Sequence, residues 1–195
     1  GKNALLILYI DDEVSEAQKR LAAVICAHAH TTTAVLCCTH AVETDFLSEA
    51  NAILYAPLFD YGTVEQIVTG ALSPSGRLPF TWAKRSDYPS FIKRGNREAY
   101  AYESVYVGYR YFDAFQVAPA FPFGQGLSYL DVSVALGKPI VRDDGVHIPF
   151  TATNANDRAG EYALLAFART DCETAFGIGR RLCAFGRICF AGAQE

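Results

Sequence analysis

Residues 4–10 read ALLILYI, a continuous apolar run with no polar alternation. A strand with one wet face alternates, so this pattern belongs to a strand buried on both faces, as in a parallel sheet covered by helices. Parallel neighbours need a crossover between them, and the next residues supply one. Between Glu13 and Ala29 the apolar residues Val14, Ala17, Leu21, Val24 and Ile25 recur at spacings of three and four, with Glu16, Lys19 and Arg20 opposite. That spacing predicts an amphipathic helix. Residues 33–39 and 52–56 then read as buried strands and 63–72 as a second helix. The alternation predicts an α/β unit built on a parallel sheet.

After Leu72 the pattern changes. Pro74, Gly76, Pro79, Pro89 and Gly95 break the chain into a long irregular connection. Residues 100–112 (YAYESVYVGYRYF) carry an aromatic, strand-like pattern that ends near Pro119, Pro122 and Gly124. From Tyr129 onward no helical period appears. LDVSVAL, VHIPFTAT, EYALLAFAR and LCAFGRICF follow one another across Gly, Asp and Asn clusters, which predicts a β-sandwich. The expected organisation is an α/β domain over residues 1–128 and a β domain over 129–195.

Charge and composition remove several classes of function. Seventeen basic against 21 acidic residues give a net charge of −4, so no positive field draws the chain to nucleic acid or an anionic membrane. No apolar run reaches the roughly 18 residues of a spanning helix, and residues 1–10 lack the three-part pattern of a signal peptide. With 51% hydrophobic residues a packed core is expected. Met is absent and Gly1 leads almost at once into the first apolar run, so the chain reads as a piece of a longer polypeptide. The six cysteines are too sparse for a disulfide scaffold and leave the compartment open.

Two segments stand out. SPSGRLPF (73–80) stops a helix at Pro74, turns at Gly76 and restarts an extended chain at Pro79, leaving the planar fork of Arg77 in the turn to pair with a carboxylate as a latch. FPFGQGLSY (121–129) sets Gly124 and Gly126 between aromatic anchors, which suits a tight backbone path where one layer hands over to the next. Together with YESVYVGYRYF (102–112), these segments resemble the C-terminal part of glycoside hydrolase family 3, the β-glucosidase-like family. That family carries a PSGRLP-like turn, a Tyr-x-Glu-Gly-x-x-Val-Gly-Tyr-Arg-Tyr segment and a Pro-Phe-Gly-x-Gly-Leu-Ser-Tyr segment in this order. TNANDRAGEYALLAF (153–167) and RRLCAFGRICF (180–190) are similar to the start and a later strand of the fibronectin type III-like domain that closes many members.

The resemblance implies a partial α/β sandwich followed by a truncated fibronectin type III-like domain with an exposed sheet edge. It also implies hydrolysis of β-linked glycosides by a retaining mechanism that needs two carboxyl groups about 5 Å apart. In the family the nucleophile comes from an N-terminal barrel domain, which is the partner expected in the parent protein and lies outside these residues. The family's acid/base glutamate sits on a loop ahead of the helix matching residues 13–29. Here that interval is only IDDEVSEAQ (10–18). Glu13 and Glu16 are the surviving candidates, although acids starting a helix also serve its dipole. Asp11 and Asp12, at the carboxyl end of a strand, are candidate sugar ligands, while an acidic N-cap explains one of them equally well.

Glu103 keeps the family's glutamate with Ser104 in place of Gly; it is a partner for Arg110 or Arg77, or part of a sugar site. Trp82 is either a core residue or a platform for a sugar ring. The turn ahead of the second helix keeps Pro57 and Gly62 but carries Leu58 where the family has Gly. His28, His30, Cys37, Cys38 and His40 do not form a metal site by spacing, Gly177-Ile178-Gly179 reads as a turn, and no cofactor is expected. The resemblance favours a secreted or cell-surface protein. The competing reading is a non-catalytic carbohydrate-binding or protein-interaction module descended from the same family.

Overall fold

The computed structural model describes residues 2–88 and 104–192. The first run of strands and helices is β1 (Ala4–Tyr9), α1 (Glu16–His28), β2 (Thr32–Cys37), β3 (Ala52–Tyr55) and α2 (Tyr61–Thr69). A short α3 (Tyr109–Phe115) leads to β4 (Val132–Leu136), β5 (Ile140–Arg142), β6 (Gly145–His147), β7 (Phe150–Asn154) and β8 (Gly160–Ala168), then α4 (Asp171–Ala175) and β9 (Arg181–Phe190). The first three strands form a parallel sheet in the order β1-β2-β3, with Leu6 opposite Ala34 and Leu36 opposite Tyr55.

Both faces of that sheet are covered, as the unbroken apolar runs require. One face presents Leu6, Leu8, Ile10, Ala34 and Leu36 to Ala22 of α1, Leu47 and Trp82. The other presents Ile7, Val35, Cys37 and Leu54 to Val64 of α2 and Phe59. The period-two alternation along each strand divides its side chains between the two layers.

Helix α1 starts at Glu16 rather than Glu13 because Ser15 caps it. The Ser15 hydroxyl accepts from the Gln18 amide N–H at 3.3 Å, and Gln18 Oε1 accepts from the Ser15 N–H at 2.9 Å. This capping box satisfies two amide donors that have no partner inside the helix. Gln18 Nε2 also donates to the carbonyl oxygen of Tyr9 at 2.8 Å, tying the helix to the end of β1. Ser15→Ala is expected to lower the unfolding free energy by about 1 kcal/mol, read as a shift of the urea midpoint. The face that α1 turns inward is Ala22 and Ile25, not the whole stripe read from the sequence, and Leu21 and Val24 are exposed. The small Ala22, fully buried, lets the helix backbone come close to the sheet there.

The two motifs that stood out in the sequence pair with each other, running antiparallel. Trp82 and Phe121 exchange both backbone hydrogen bonds, at 2.7 and 2.9 Å. The Leu78 N–H donates to the Gln125 carbonyl and the Gly124 N–H to the Leu78 carbonyl, while the Ser73 and Ser128 hydroxyls meet at 3.0 Å. Residues 73–82 and 121–128 thereby form a seam between the parallel sheet and the antiparallel strands.

Residues 109–115 form a helix, which corrects the strand expected through Phe112. Gly108, with φ of 58°, starts it and Gln116, with φ of 54°, ends it. The aromatic residues still pack between layers: Tyr109 stacks on Phe123 at 5.0 Å and meets Phe167 edge-on at 6.0 Å. The remainder of the expected aromatic strand, residues 100–103, lies outside the described residues.

Beyond Tyr129 the strands join as antiparallel pairs, β4 with β7, β5 with β6 and β8 with β9. Leu136, Val141 and Phe185 on these pairs are exposed. The short α4 interrupts the purely β reading of this half. Three arginines hold the antiparallel strands to the rest. Arg77 donates to the Gly126 carbonyl and lies over the Tyr162 ring at 4.6 Å. Arg158 donates to the Gly70 carbonyl at 2.9 Å, where a cation favours the C-terminus of α2. Arg180 pairs with Asp113 at 3.1 Å and lies 4.7 Å over Phe167.

Candidate functional site

In an open parallel sheet ligands gather where the strands end at their carboxyl sides, because loops of several strands converge there. In this chain β1, β2 and β3 end at Tyr9, Cys37 and Tyr55, and the loops that follow enclose a cleft of about 560 Å³. Its wall includes Tyr9, Asp11, Thr39, Leu58, Phe59 and Asp60. Phe59 braces Tyr9 edge-on, with ring centroids 5.7 Å apart and planes at 69°. Tyr9 is 63% exposed at the cleft. Asp60 is committed to the helix that follows: its Oδ2 accepts from the Thr63 N–H at 2.8 Å and from the Thr63 hydroxyl at 2.6 Å. Those hydrogen bonds hold its carboxyl below the usual carboxylate range. Leu58 is 92% exposed.

A second cleft, of about 320 Å³, is lined by Asp12, Glu13, His40, Glu43 and Arg85, among others. His40 Nε2 lies 2.8 Å from the carbonyl oxygen of Asp12 and ties the β1–α1 connection to the segment after β2. The four acids expected near the strand end therefore part company. Asp11 lines the first cleft, Asp12 and Glu13 line the second, and Glu16 sits in the first turn of α1. Neither Asp11 nor Asp12 is the N-cap, which corrects that alternative: Ser15 holds the position.

Glu13 pairs with Arg85 at 3.0 Å and Glu16 with Lys19 at 3.0 Å, both on the exposed surface. A carboxyl group that donates a proton near neutral pH needs apolar surroundings, and neither side chain has them.

Trp82 is 2% exposed, so it is a core residue rather than a sugar platform. Phe80 stacks on it at 5.7 Å, Tyr55 meets it edge-on at 5.3 Å and Phe121 at 6.5 Å. Its indole N–H donates to the Val42 carbonyl at 2.7 Å. Burial with the polar tip satisfied is what a core tryptophan requires.

Arg77 donates to the Gly126 carbonyl and, at 3.5 Å, to the Ala163 carbonyl, and lies over the Tyr162 ring; among the described residues no carboxylate meets it. The corner that presents the Gly126 carbonyl also explains both glycines. Gly124 has φ of 81°, and a Cβ there would lie 2.5 Å from Leu165 Cδ1. A Cβ on Gly126 would collide with the Gly76 carbonyl oxygen. Arg110 is half-buried on α3, and Glu103 lies outside the described residues.

His28 Nδ1 sits 2.8 Å from the Val24 carbonyl at the end of α1, and His30 follows the helix. Among the described residues no three His, Cys, Asp or Glu side chains come together as a metal site. Burial pushes the Cys37 thiol up, and Cys38 is raised by burial and by Cys37 beside it, so both are held as neutral thiols. Among the described residues no helix is long and apolar enough to cross a membrane. Sequence reasoning singled out neither Tyr9 nor Phe59, and weighed His40 only as a metal ligand. The usable signal for the first two was position, since each is an aromatic residue at or just beyond the end of an apolar strand run.

Comparison with known proteins puts this geometry in context. Residues 10–129 match the model of the glycosyl hydrolase family 3 C-terminal domain. A β-glucosidase from Kluyveromyces marxianus is 34% identical over 127 residues, 60% of this chain and 15% of its own length. A β-glucosidase from Ruminococcus albus is 37% identical over 124 residues, 62% of this chain and 13% of its own length. The chain thus spans only a small fraction of the curated relatives it matches.

Among solved structures, the Kluyveromyces marxianus β-glucosidase in complex with glucose superposes with a TM-score of 0.83 at 23% identity, over 98% of this chain and 25% of that one. β-Glucosidase 3B from Thermotoga neapolitana superposes with a TM-score of 0.82 at 24% identity, over 100% of this chain and 31% of that one. At these identities the superpositions establish the fold. They extend through both the parallel sheet and the antiparallel strands.

Proposed function

Because this chain belongs to the glycosyl hydrolase family 3 C-terminal domain family, we propose that it serves as the C-terminal portion of a β-glucosidase-like hydrolase acting on β-linked glycosides. The observation that carries this reading is the cleft at the carboxyl ends of β1, β2 and β3, which falls almost wholly inside the matched residues 10–129. In the proposed arrangement the cleft faces the glycoside and Asp11 contributes a hydroxyl-binding carboxylate. The residue that attacks the anomeric carbon comes from a barrel domain outside these 195 residues. Residues 1–128 would form the α/β domain and 129–195 the fibronectin type III-like domain, latched by Arg77, Arg158 and Arg180.

Retaining hydrolysis needs one carboxylate to attack and a second, protonated carboxyl to release the leaving oxygen. Glu13 and Glu16, the acids nearest the family's proton-donor loop, are exposed and paired with Arg85 and Lys19. We therefore expect the 195-residue chain alone to release no aryl group from an aryl β-glucoside. Release is expected when a family barrel domain is supplied as a second polypeptide and the aryl group is one, such as nitrophenolate, that departs without a proton donor. Turnover by the chain alone that vanishes in Glu13→Gln or Glu16→Gln would show that it carries the acid pair itself and would overturn this reading.

The same environment of Glu13 and Glu16 favours a second reading, a non-catalytic carbohydrate-binding module. In that case the barrel supplement restores no turnover while the chain still binds sugar.

A further inference from the structure

We infer that Arg158, in the antiparallel half of the chain, is a positioning residue for the strand-end cleft. With Tyr129 it clamps the C-terminus of α2, the helix whose opposite end carries Phe59 and Asp60 into the cleft wall. The inference rests on the reading of that cleft as the functional site, and gives the antiparallel strands a part in shaping it.

Helix α2 has little else to hold it. Val64 is its buried residue, packed with Val35 and Cys37 of β2, and Ile67 is half-buried. A helix of nine residues is too short to stand by its own propensity, so tertiary contacts set its position. One buried side chain fixes a point rather than a direction, which leaves the two ends to decide how α2 lies.

The C-terminal end is held from the antiparallel half. Arg158 Nη1 donates to the Gly70 carbonyl at 2.9 Å, and the Tyr129 hydroxyl donates to the Ile67 carbonyl at 2.9 Å. Carbonyls in the last turn of a helix lack regular partners inside it, and the helix dipole favours a cation beside them. The Arg158 guanidinium lies 5.4 Å over the Tyr129 ring, so the two groups act as one clamp. The clamp is braced from behind. Asn156 donates to the Tyr129 carbonyl at 2.8 Å and accepts from the Arg158 N–H at 3.2 Å, and Asn154 donates to the Arg158 carbonyl at 3.0 Å.

The other end of α2 belongs to the cleft. Asp60 caps the helix by accepting from the Thr63 N–H and hydroxyl, and Phe59 before it braces the exposed ring of Tyr9. Arg158 and Tyr129 stand apart from the cleft lining. At 1.5 Å per residue α2 is about 14 Å long. A pivot about Val64, near its middle, therefore moves Phe59 and Asp60 when the far end is released.

The test compares wild type, Arg158→Ala, Arg158→Lys and Arg180→Ala by amide exchange and by ¹³C titration of the Asp60 carboxyl. Arg180→Ala removes another latch of the antiparallel half, onto Asp113 and Phe167, and serves as the control. In Arg158→Ala, exchange at Thr63 and Val64, whose N–H groups bond Asp60, is expected to be about fivefold faster. The Asp60 carboxyl, held below the usual carboxylate range by Thr63, is expected to titrate closer to that range. Arg158→Lys keeps the charge at the Gly70 carbonyl and is expected to recover part of the protection. Arg180→Ala is expected to match wild type in both readings. With the barrel polypeptide and a nitrophenyl glucoside, Arg158→Ala is expected to raise KM about fivefold and leave kcat within about twofold of wild type.

Wild-type exchange at Thr63 and Val64 in Arg158→Ala, or equal changes in Arg180→Ala, overturns the inference. Faster exchange in Arg158→Ala alone, with no hydrolysis by any of the chains, upholds the clamp and removes the hydrolase reading. Hydrolysis with KM unchanged in Arg158→Ala removes the inference and keeps that reading.

Discussion

Trp82→Ala is expected to lower the unfolding free energy by about 3–5 kcal/mol, the range for deleting a fully buried large aromatic side chain. The site is unforgiving for three physical reasons. Its ring fills the space among Phe80, Tyr55 and Phe121, so truncation leaves a cavity lined by rigid rings that cannot collapse into it. Its indole N–H is the partner of the buried Val42 carbonyl, which alanine would leave unpaired. Its backbone exchanges two hydrogen bonds with Phe121, so slackness in the core spreads to the seam between the two motifs.

Trp82→Phe separates the first two effects. It keeps most of the packing and removes only the donor, for an expected loss of about 1–3 kcal/mol. Urea denaturation followed by circular dichroism measures both, since each variant lacks the chain's one tryptophan as a fluorescent reporter. Equal stability of Trp82→Ala and wild type would mean that the core reading of this residue is wrong.

The second large effect is expected at Gly126. An added Cβ would meet the Gly76 carbonyl oxygen, a backbone atom with no rotamer to escape into, and would sit 3.1 Å from Arg77 Cδ. Overpacking of this kind costs about 1–3 kcal/mol, and here the displaced group is the latch itself. Gly126→Ala should therefore destabilise the chain and also loosen the antiparallel strands against the parallel sheet. Faster amide exchange at residues 77, 78 and 163–165 would report the loosening.

Arg77→Lys is the informative companion. Lysine keeps the charge but loses the planar fork that bonds a carbonyl while stacking on Tyr162. If Arg77→Lys matches wild type in both stability and exchange, the latch holds by charge alone and the stacking is incidental.

Much of the fold was legible because burial leaves a pattern. A strand covered on both faces has no polar positions to display, and the three apolar runs became β1, β2 and β3 within a few residues of their expected limits. The start of α1 was also legible: Ser15 followed three residues later by Gln18 is a capping box, though the apolar period alone placed the start too early. Residues 109–115 were misread because aromatic residues favour strands only weakly, and packing decides their state. In the folded chain Phe112 is buried and meets Tyr88 edge-on, a contact no local pattern announces.

The site was less legible than the fold for the same reason. Asp11 and Asp12 are adjacent, yet they line different clefts, because the chain turns between the end of β1 and the cap of α1. Arg77 was expected to pair with a carboxylate, whereas its partners among the described residues are backbone carbonyls and an aromatic ring. A backbone carbonyl offered by a glycine corner 49 residues away carries no signature in the sequence. Trp82 could be weighed as core or platform, and only its fourfold enclosure by Phe80, Tyr55, Phe121 and the Val42 carbonyl decides it.

The backbone pairing of Trp82 with Phe121 has an evolutionary corollary. The chain leaves the seam at one of these residues and rejoins it at the other, and on the way back Tyr109, Phe112 and Asp113 pin it to the rest of the fold a second time. Closure entropy grows by only about 0.6 kcal/mol for each doubling of a flexible loop. A change of length ahead of α3 that leaves those three contacts in place is therefore far cheaper to inherit than one that moves α3 itself.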